Sequence, residues 1–150
     1  MPGAFRLPEE VLALAVSGDR PSTRVVEAVP AFLAWNTWNS LLLRAFAKSQ
    51  DRRAASRLAW LADIAITIDD SRGFPGGCLG RQSLEAFIKR IPVPKKADSL
   101  GYVDKTGRLS PVSKRWNITY PASLEVFRLR AQALHDSKDQ SQEKAKVELQ

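Results

Sequence analysis

The stretch 52–68 carries more apolar surface than one face of a helix can hold, and this constrains the rest of the fold. Ala54, Leu58, Leu61, Ala62, Ala65 and Ile68 recur at spacings of three and four, the period of a single helical stripe. Trp60 and Ile64 widen that stripe. The pattern predicts a central helix covered on two sides, with Asp51 at its N-cap. Such a helix needs partners on several sides, and the flanking sequence supplies them.

Residues 8–17 read as a short helix. Pro8 suits the first turn, Glu9 and Glu10 favour the positive end, and Gly18 is a stop. Its apolar face is Val11, Leu12, Leu14 and Ala15. A second helix starts at Ser22 and runs through Val25, Val26, Val29, Phe32 and Leu33, with a kink or break expected near Val29 because of Pro30. A third covers 40–49, with Leu41, Leu42, Ala45 and Phe46 expected inward. The glycines and proline of 69–81 predict a loop. A short helix over 83–91 buries Leu84, Phe87, Ile88 and Ile91 before Pro92 and Pro94 end it.

The pattern then changes. Lys95–Ser99 is a polar connector, and 100–109 suggests a hairpin turning at Asp104–Gly107. Over Lys114–Tyr120, Trp116, Ile118 and Tyr120 alternate with polar residues, the period of a strand with one buried face. Pro121 opens a last helix with Leu124, Phe127, Ala131 and Leu134 inward; a dimer seam is the alternative use of that stripe. The expected fold class is mainly α: a multi-helix bundle with a small β-hairpin or strand element near 100–120 and a C-terminal helix.

The chain has 150 residues, 44% hydrophobic and 26% charged, enough for one globular domain over 1–136. Residues 137–150 have little to bury and read as a polar tail, frayed or disordered. A single cysteine and a single histidine exclude an intramolecular disulfide, a multi-cysteine zinc site and a two-histidine metal site. Met1–Arg6 carry no apolar h-region and no window is apolar over membrane length, so neither a secretory signal nor a membrane span is expected, and a free thiol fits a cytoplasmic protein. The formal charge is +7. Lys138, Lys144 and Lys146 offset Asp139, Glu143 and Glu148, so the excess belongs to 1–136. Such a surplus points to an anionic partner, nucleic acid or an acidic protein face.

Three basic groups are candidate contacts. The densest is Arg44, Lys48, Arg52, Arg53 and Arg57, where the pairs Arg44/Lys48 and Arg53/Arg57 are four apart and can share helical faces. The second is Lys89, Arg90, Lys95 and Lys96. The third is Lys114 and Arg115 with Arg108, beside Trp116 and Tyr120, an arrangement that can bind single strands if the rings are exposed. Trp35 and Trp38 are aromatic anchor candidates for a partner, or seals at a helix junction.

Catalytic sets are thin. Cys78 lies 57 residues from His135, the only histidine. Gly76-Gly77-Cys78-Leu79-Gly80 lacks the Gly-Lys-Ser/Thr ending of a phosphate loop. Asp63, Asp69, Asp70 and Glu85 could hold magnesium for phosphoryl chemistry, but Arg72 and Arg81 nearby suggest ion pairs instead. No catalytic residue, metal or cofactor is expected.

Three segments in order, Arg57-Leu58-Ala59-Trp60-Leu61-Ala62-Asp63, Leu84-Glu85-Ala86-Phe87-Ile88 and Ser113-Lys114-Arg115-Trp116-Asn117-Ile118, resemble the C-terminal domain of type IV, AbiE-like abortive-infection antitoxins. Ala59 stands where that family has glycine, and Ala62 where it has leucine. The winged helix-turn-helix through which the family binds operator DNA is not found in this sequence. The resemblance implies a non-enzymatic neutralising or regulatory protein of prokaryotic defence.

The leading expectation is a non-catalytic, basic, helical module that contacts nucleic acid or a nucleoprotein complex, possible as a subunit of a larger assembly. The alternatives are a protein adaptor or antitoxin that neutralises a toxin, and a small metal-dependent nuclease.

Overall fold

The computed structural model describes residues 6–101, 110–120 and 123–148, with side chains described as far as residue 137. The helices are α1 (Pro8–Ala15), α2 (Thr23–Trp35), α3 (Ser40–Gln50), α4 (Ala54–Arg72), α5 (Arg81–Lys89), α6 (Pro111–Arg115) and α7 (Leu124–Glu148).

The two-sided stripe places α4 at the centre. Every residue from Ala54 to Ala65 is buried, and α4 packs against each of the other described helices. Asp51 is not the N-cap as expected: α4 starts later, with Arg53 at that position. Asp51 closes α3 and holds the turn between the two helices, its side chain accepting from the Arg53 N–H at 2.9 Å and its carbonyl from the Ala54 N–H at 3.0 Å. The Trp60 ring meets Tyr120 and Phe127 edge-on at 5.5 and 5.8 Å. Its indole N–H donates to the Ser113 hydroxyl at 3.1 Å, so the buried ring leaves no polar atom unpaired.

α2 runs unbroken through Pro30, which is buried, so the break expected near Val29 does not occur. α4 extends to Arg72, where Gly73 caps it at φ +77°. The loop that follows is therefore shorter than the expected 69–81. It returns under α2, where the Gly80 N–H donates to the Ala34 carbonyl at 2.9 Å. A side chain at Gly80 would run into the carbonyls of Leu33 and Asn36, so only glycine allows this approach.

The apolar faces of α1, α2 and α3 differ from expectation. In α3 the inward residues are Leu43 and Ala47, while Leu41 is 57% exposed and Leu42 and Ala45 are also exposed. In α1 and α2, Val11, Val25 and Phe32 are exposed and Leu12, Val26, Val29 and Leu33 are buried. Adjacent helical residues point about 100° apart, and at Val11–Leu12, Val25–Val26 and Phe32–Leu33 only one residue of the pair enters the core.

The expected strand over Lys114–Tyr120 is corrected. Among the described residues there is no sheet; Ser110 caps α6, with Pro111 in its first turn. The helix ends in a Schellman turn. Asn117, at φ +56°, donates to the Lys114 carbonyl at 3.2 Å, and the Ile118 N–H to that of Ser113 at 2.9 Å. Only an isolated parallel bridge joins Asp98 to Ile118. The burial expected at Trp116, Ile118 and Tyr120 is present, carried by a helix end instead of a pleat. The expected hairpin falls largely on 102–109, outside the described residues.

In α7, Phe127 and Ala131 are buried and Leu124 and Leu134 half-buried against α2 and α4, so the stripe packs within the chain. α7 remains helical to Glu148, through most of the stretch expected as a polar tail. No helix among the described residues is long and apolar enough to cross a membrane.

Candidate functional site

Arg57 decides how the basic residues are arranged. It is 0% exposed and serves the interior, which removes it from the expected contact surface. Its guanidinium donates to Asp98 at 2.7 and 3.0 Å and to the carbonyls of Val16 and Gly18 at 2.8 and 2.6 Å. A buried cation needs such full partnership. The result is a clamp that ties the end of α1 and the 98–100 segment to α4.

Asp98 also accepts from the Leu100 N–H at 3.1 Å. Burial alone would push its carboxyl up, but the Arg57 and Leu100 hydrogen bonds outweigh that and hold it below the usual carboxylate range. Just beyond, Gly101 turns at φ +81° against the Asp19 carbonyl and Arg20, where a side chain would clash. The chain before Asp98 is held too: the Asn117 amide donates to the Pro94 and Lys95 carbonyls at 3.3 and 3.2 Å.

The anchored segment faces the start of α4 across an open cleft of about 550 Å³. Arg52, Arg53, Lys95 and Lys96 line it, with Asp19 and Asp98. Arg53 is paired, with Asp19 at 2.9 Å and Asp51 at 3.0 Å. Burial raises the Asp51 carboxyl, but bonds from Arg53 and the Gly18 N–H prevail and hold it well below the usual range. Asp98 is matched by Arg57 from beneath. Arg52, Lys95 and Lys96 are exposed and make no ion pair among the described residues, so the cleft carries a positive excess.

The other candidates lie apart from this cleft. Lys89 and Arg90 line a separate depression on α5 with Glu85. Arg44 is half-buried on α3, its Nε without a hydrogen-bond partner among the described residues, and Lys48 lies one turn further along. Lys114 is exposed, and Arg115 donates to Asp63 at 2.5 Å. Trp35 and Trp38 are half-buried; their indole N–H groups donate to the Pro75 and Leu33 carbonyls at 2.7 and 2.9 Å. Both pack against the core while remaining partly exposed.

The residues considered for catalysis are engaged elsewhere. Asp63 is buried and accepts from Arg115 and from the Trp116 indole at 2.9 Å. Asp69, Asp70 and Glu85 converge on Arg81 at 2.8, 2.6 and 2.8 Å. Burial and the nearby Asp69 push the Cys78 thiol up to about 11, so it is a thiol and not a thiolate near neutral pH. Among the described residues no cluster of His, Cys, Asp and Glu is suited to a metal ion.

Asp98, Asp19 and Ser56 belong to the cleft without having been singled out in the sequence. A lone carboxylate in a polar connector carries no periodic signal. The nearest hint was that the most buried helix contains an arginine, which requires a carboxylate somewhere. No protein-family model, curated protein or solved structure matches the chain.

Proposed function

We propose that this chain is a non-catalytic, basic, helical binding module that takes the phosphate backbone of a nucleic acid, free or within a nucleoprotein complex, across the cleft between the start of α4 and the 94–99 segment. The observation that carries the reading is the convergence of Arg52 with Lys95 and Lys96, far apart in sequence, on one open cleft where none of them has a counter-ion among the described residues. Exposed, unpaired cations on a shared rim suit phosphate oxygens, which need charge and donors but no deep pocket. The resemblance to AbiE-like antitoxins is what supports a role in prokaryotic defence or regulation.

Binding of labelled single-stranded RNA, single-stranded DNA and duplex DNA across a range of salt tests the reading. Each phosphate neutralised contributes about 0.7 to the log–log salt slope for single strands and about 0.9 for duplex. A slope of about 2 or more is expected, falling when Arg52, Lys95 and Lys96 are changed to Gln. Affinity independent of ionic strength would overturn it.

A further inference from the structure

A second surface lies on the α1–α2 side and is chemically unlike the cleft. Between these helices runs an open groove of about 670 Å³ whose walls include Val11, Leu12, Val25, Val29, Phe32 and Trp38. Val11 is 50%, Val25 41% and Phe32 49% exposed. Three large apolar side chains left half in water along one groove have a solvation cost that a partner would remove.

The groove has a charged rim. Arg6 and Arg24 border it. Arg24 makes no ion pair among the described residues, and Arg6 meets Glu10 only at 3.8 Å with more than half its side chain in solvent. The one carboxylate among the described residues of the lining, Glu9, is buried and accepts from the Asn39 N–H at 3.4 Å. The outward charge of the rim is therefore positive. Both walls are helices whose backbone groups are already hydrogen-bonded, so recognition must run through side chains, as when an amphipathic helix lies in a groove. α1 has eight residues, about 12 Å at 1.5 Å per residue, which matches about two turns of an incoming helix.

We propose that the α1–α2 groove docks an acidic amphipathic helix of a partner protein, its apolar stripe on Val25 and Phe32 and its carboxylates on Arg6 and Arg24. This surface is independent of the phosphate cleft.

The probe is a 14-residue helical peptide with leucines at i, i+3 and i+7 flanked by glutamates, compared with its lysine-flanked counterpart. Fluorescence anisotropy of the labelled peptides against the intact chain should give at least tenfold tighter binding of the acidic form. Phe32→Asp should abolish it, and Arg24→Glu should reverse the preference between the two peptides. Both positions are exposed, and circular dichroism melts confirm that the variants fold. The Arg52, Lys95 and Lys96 to Gln variant should bind the acidic peptide within twofold of the parent, which separates this surface from the cleft. The proposal is overturned if neither peptide binds, if both bind equally, or if Phe32→Asp binds like the parent. It is also overturned if sedimentation shows self-association that Phe32→Asp abolishes, since the occupant is then a second copy of this chain.

Discussion

Two ion pairs join the 98–116 part of the chain to α4, and they are built in opposite senses. At Arg57–Asp98 the residue on α4 is the cation, and it is wholly buried. At Asp63–Arg115 the residue on α4 is the anion, while the Arg115 side chain is 58% exposed. The first arginine has its donors committed inward, to one carboxylate and two carbonyls. The second keeps most of its surface in water, and its carboxylate has a further donor in Trp116. The sign of a charge therefore says little about its use here; the burial of the arginine itself says more. By fixing Asp98, the interior pair also sets where Lys95 and Lys96 stand.

Removing the acid of the buried pair should give the largest effect. Asp98→Ala strands Arg57 in the interior, and losses of about 3–5 kcal/mol are typical of such an orphaned charge. Urea unfolding followed by circular dichroism measures this, and phosphate-backbone binding should fall with it because the 94–99 segment loses its anchor. The double variant Arg57→Met with Asp98→Leu removes both charges and leaves the Val16 and Gly18 carbonyls short of a donor and the Leu100 N–H short of an acceptor. Its loss should be smaller, about 1–3 kcal/mol. A double variant as unstable as Asp98→Ala would mean that the charges themselves are not the cause. At the opposite pair, Arg115→Ala should cost less than Asp98→Ala, about 1–3 kcal/mol: the buried Asp63 loses its cation but keeps the Trp116 N–H, and the vacated exposed side chain lets water reach the carboxylate.

These contrasts mark what the sequence makes legible. The central helix was readable because Trp60 and Ile64 overfill a single stripe, and its burial followed. The faces of α1 to α3 were not, because at apolar neighbours such as Val25–Val26 and Phe32–Leu33 only one residue enters the core and periodicity does not choose between them. The 114–120 segment was misread for a specific reason: Trp116, Ile118 and Tyr120 do alternate in burial, but a Schellman turn produces that alternation as well as a strand does. Ser110-Pro111 before it and Asn117 after it were the helix start and stop signals. The cations of the cleft were legible one by one. Their meeting was not, because it depends on Asp98 finding Arg57 across 41 residues, a pairing with no local trace.

Acid should weaken the same interior pair. The Asp98 carboxyl is held below its ordinary value of 3.8 in the folded chain. A group depressed on folding stabilises fully above its unfolded value, and that contribution is lost as pH falls through the folded one. Asp51 is shifted in the same direction. Stability should therefore drop as pH falls below about 4. The Arg57→Met with Asp98→Leu variant should show a shallower drop, with Asp51 left as a shared contribution. Melts between pH 2 and 7 compare the two slopes, and identical slopes would remove Asp98 from the account.

The smallest effect on stability should come from the cleft, and there it is the contrast with binding that matters. Arg52, Lys95 and Lys96 make no ion pairs among the described residues, so changing all three to Gln removes no internal partner. Substitutions of this kind fall within about 0.5 kcal/mol, and relief of mutual repulsion can make the change slightly favourable. If each cation meets a phosphate, the same variant should lower the salt slope of nucleic-acid binding by about 2–3. Arg115→Ala should leave that slope nearly intact, since Arg115 lies outside the lining of the cleft. A variant that loses stability without losing slope would make these residues part of the scaffold. One that loses slope while melting with the parent separates the surface that binds from the buried pair that positions it.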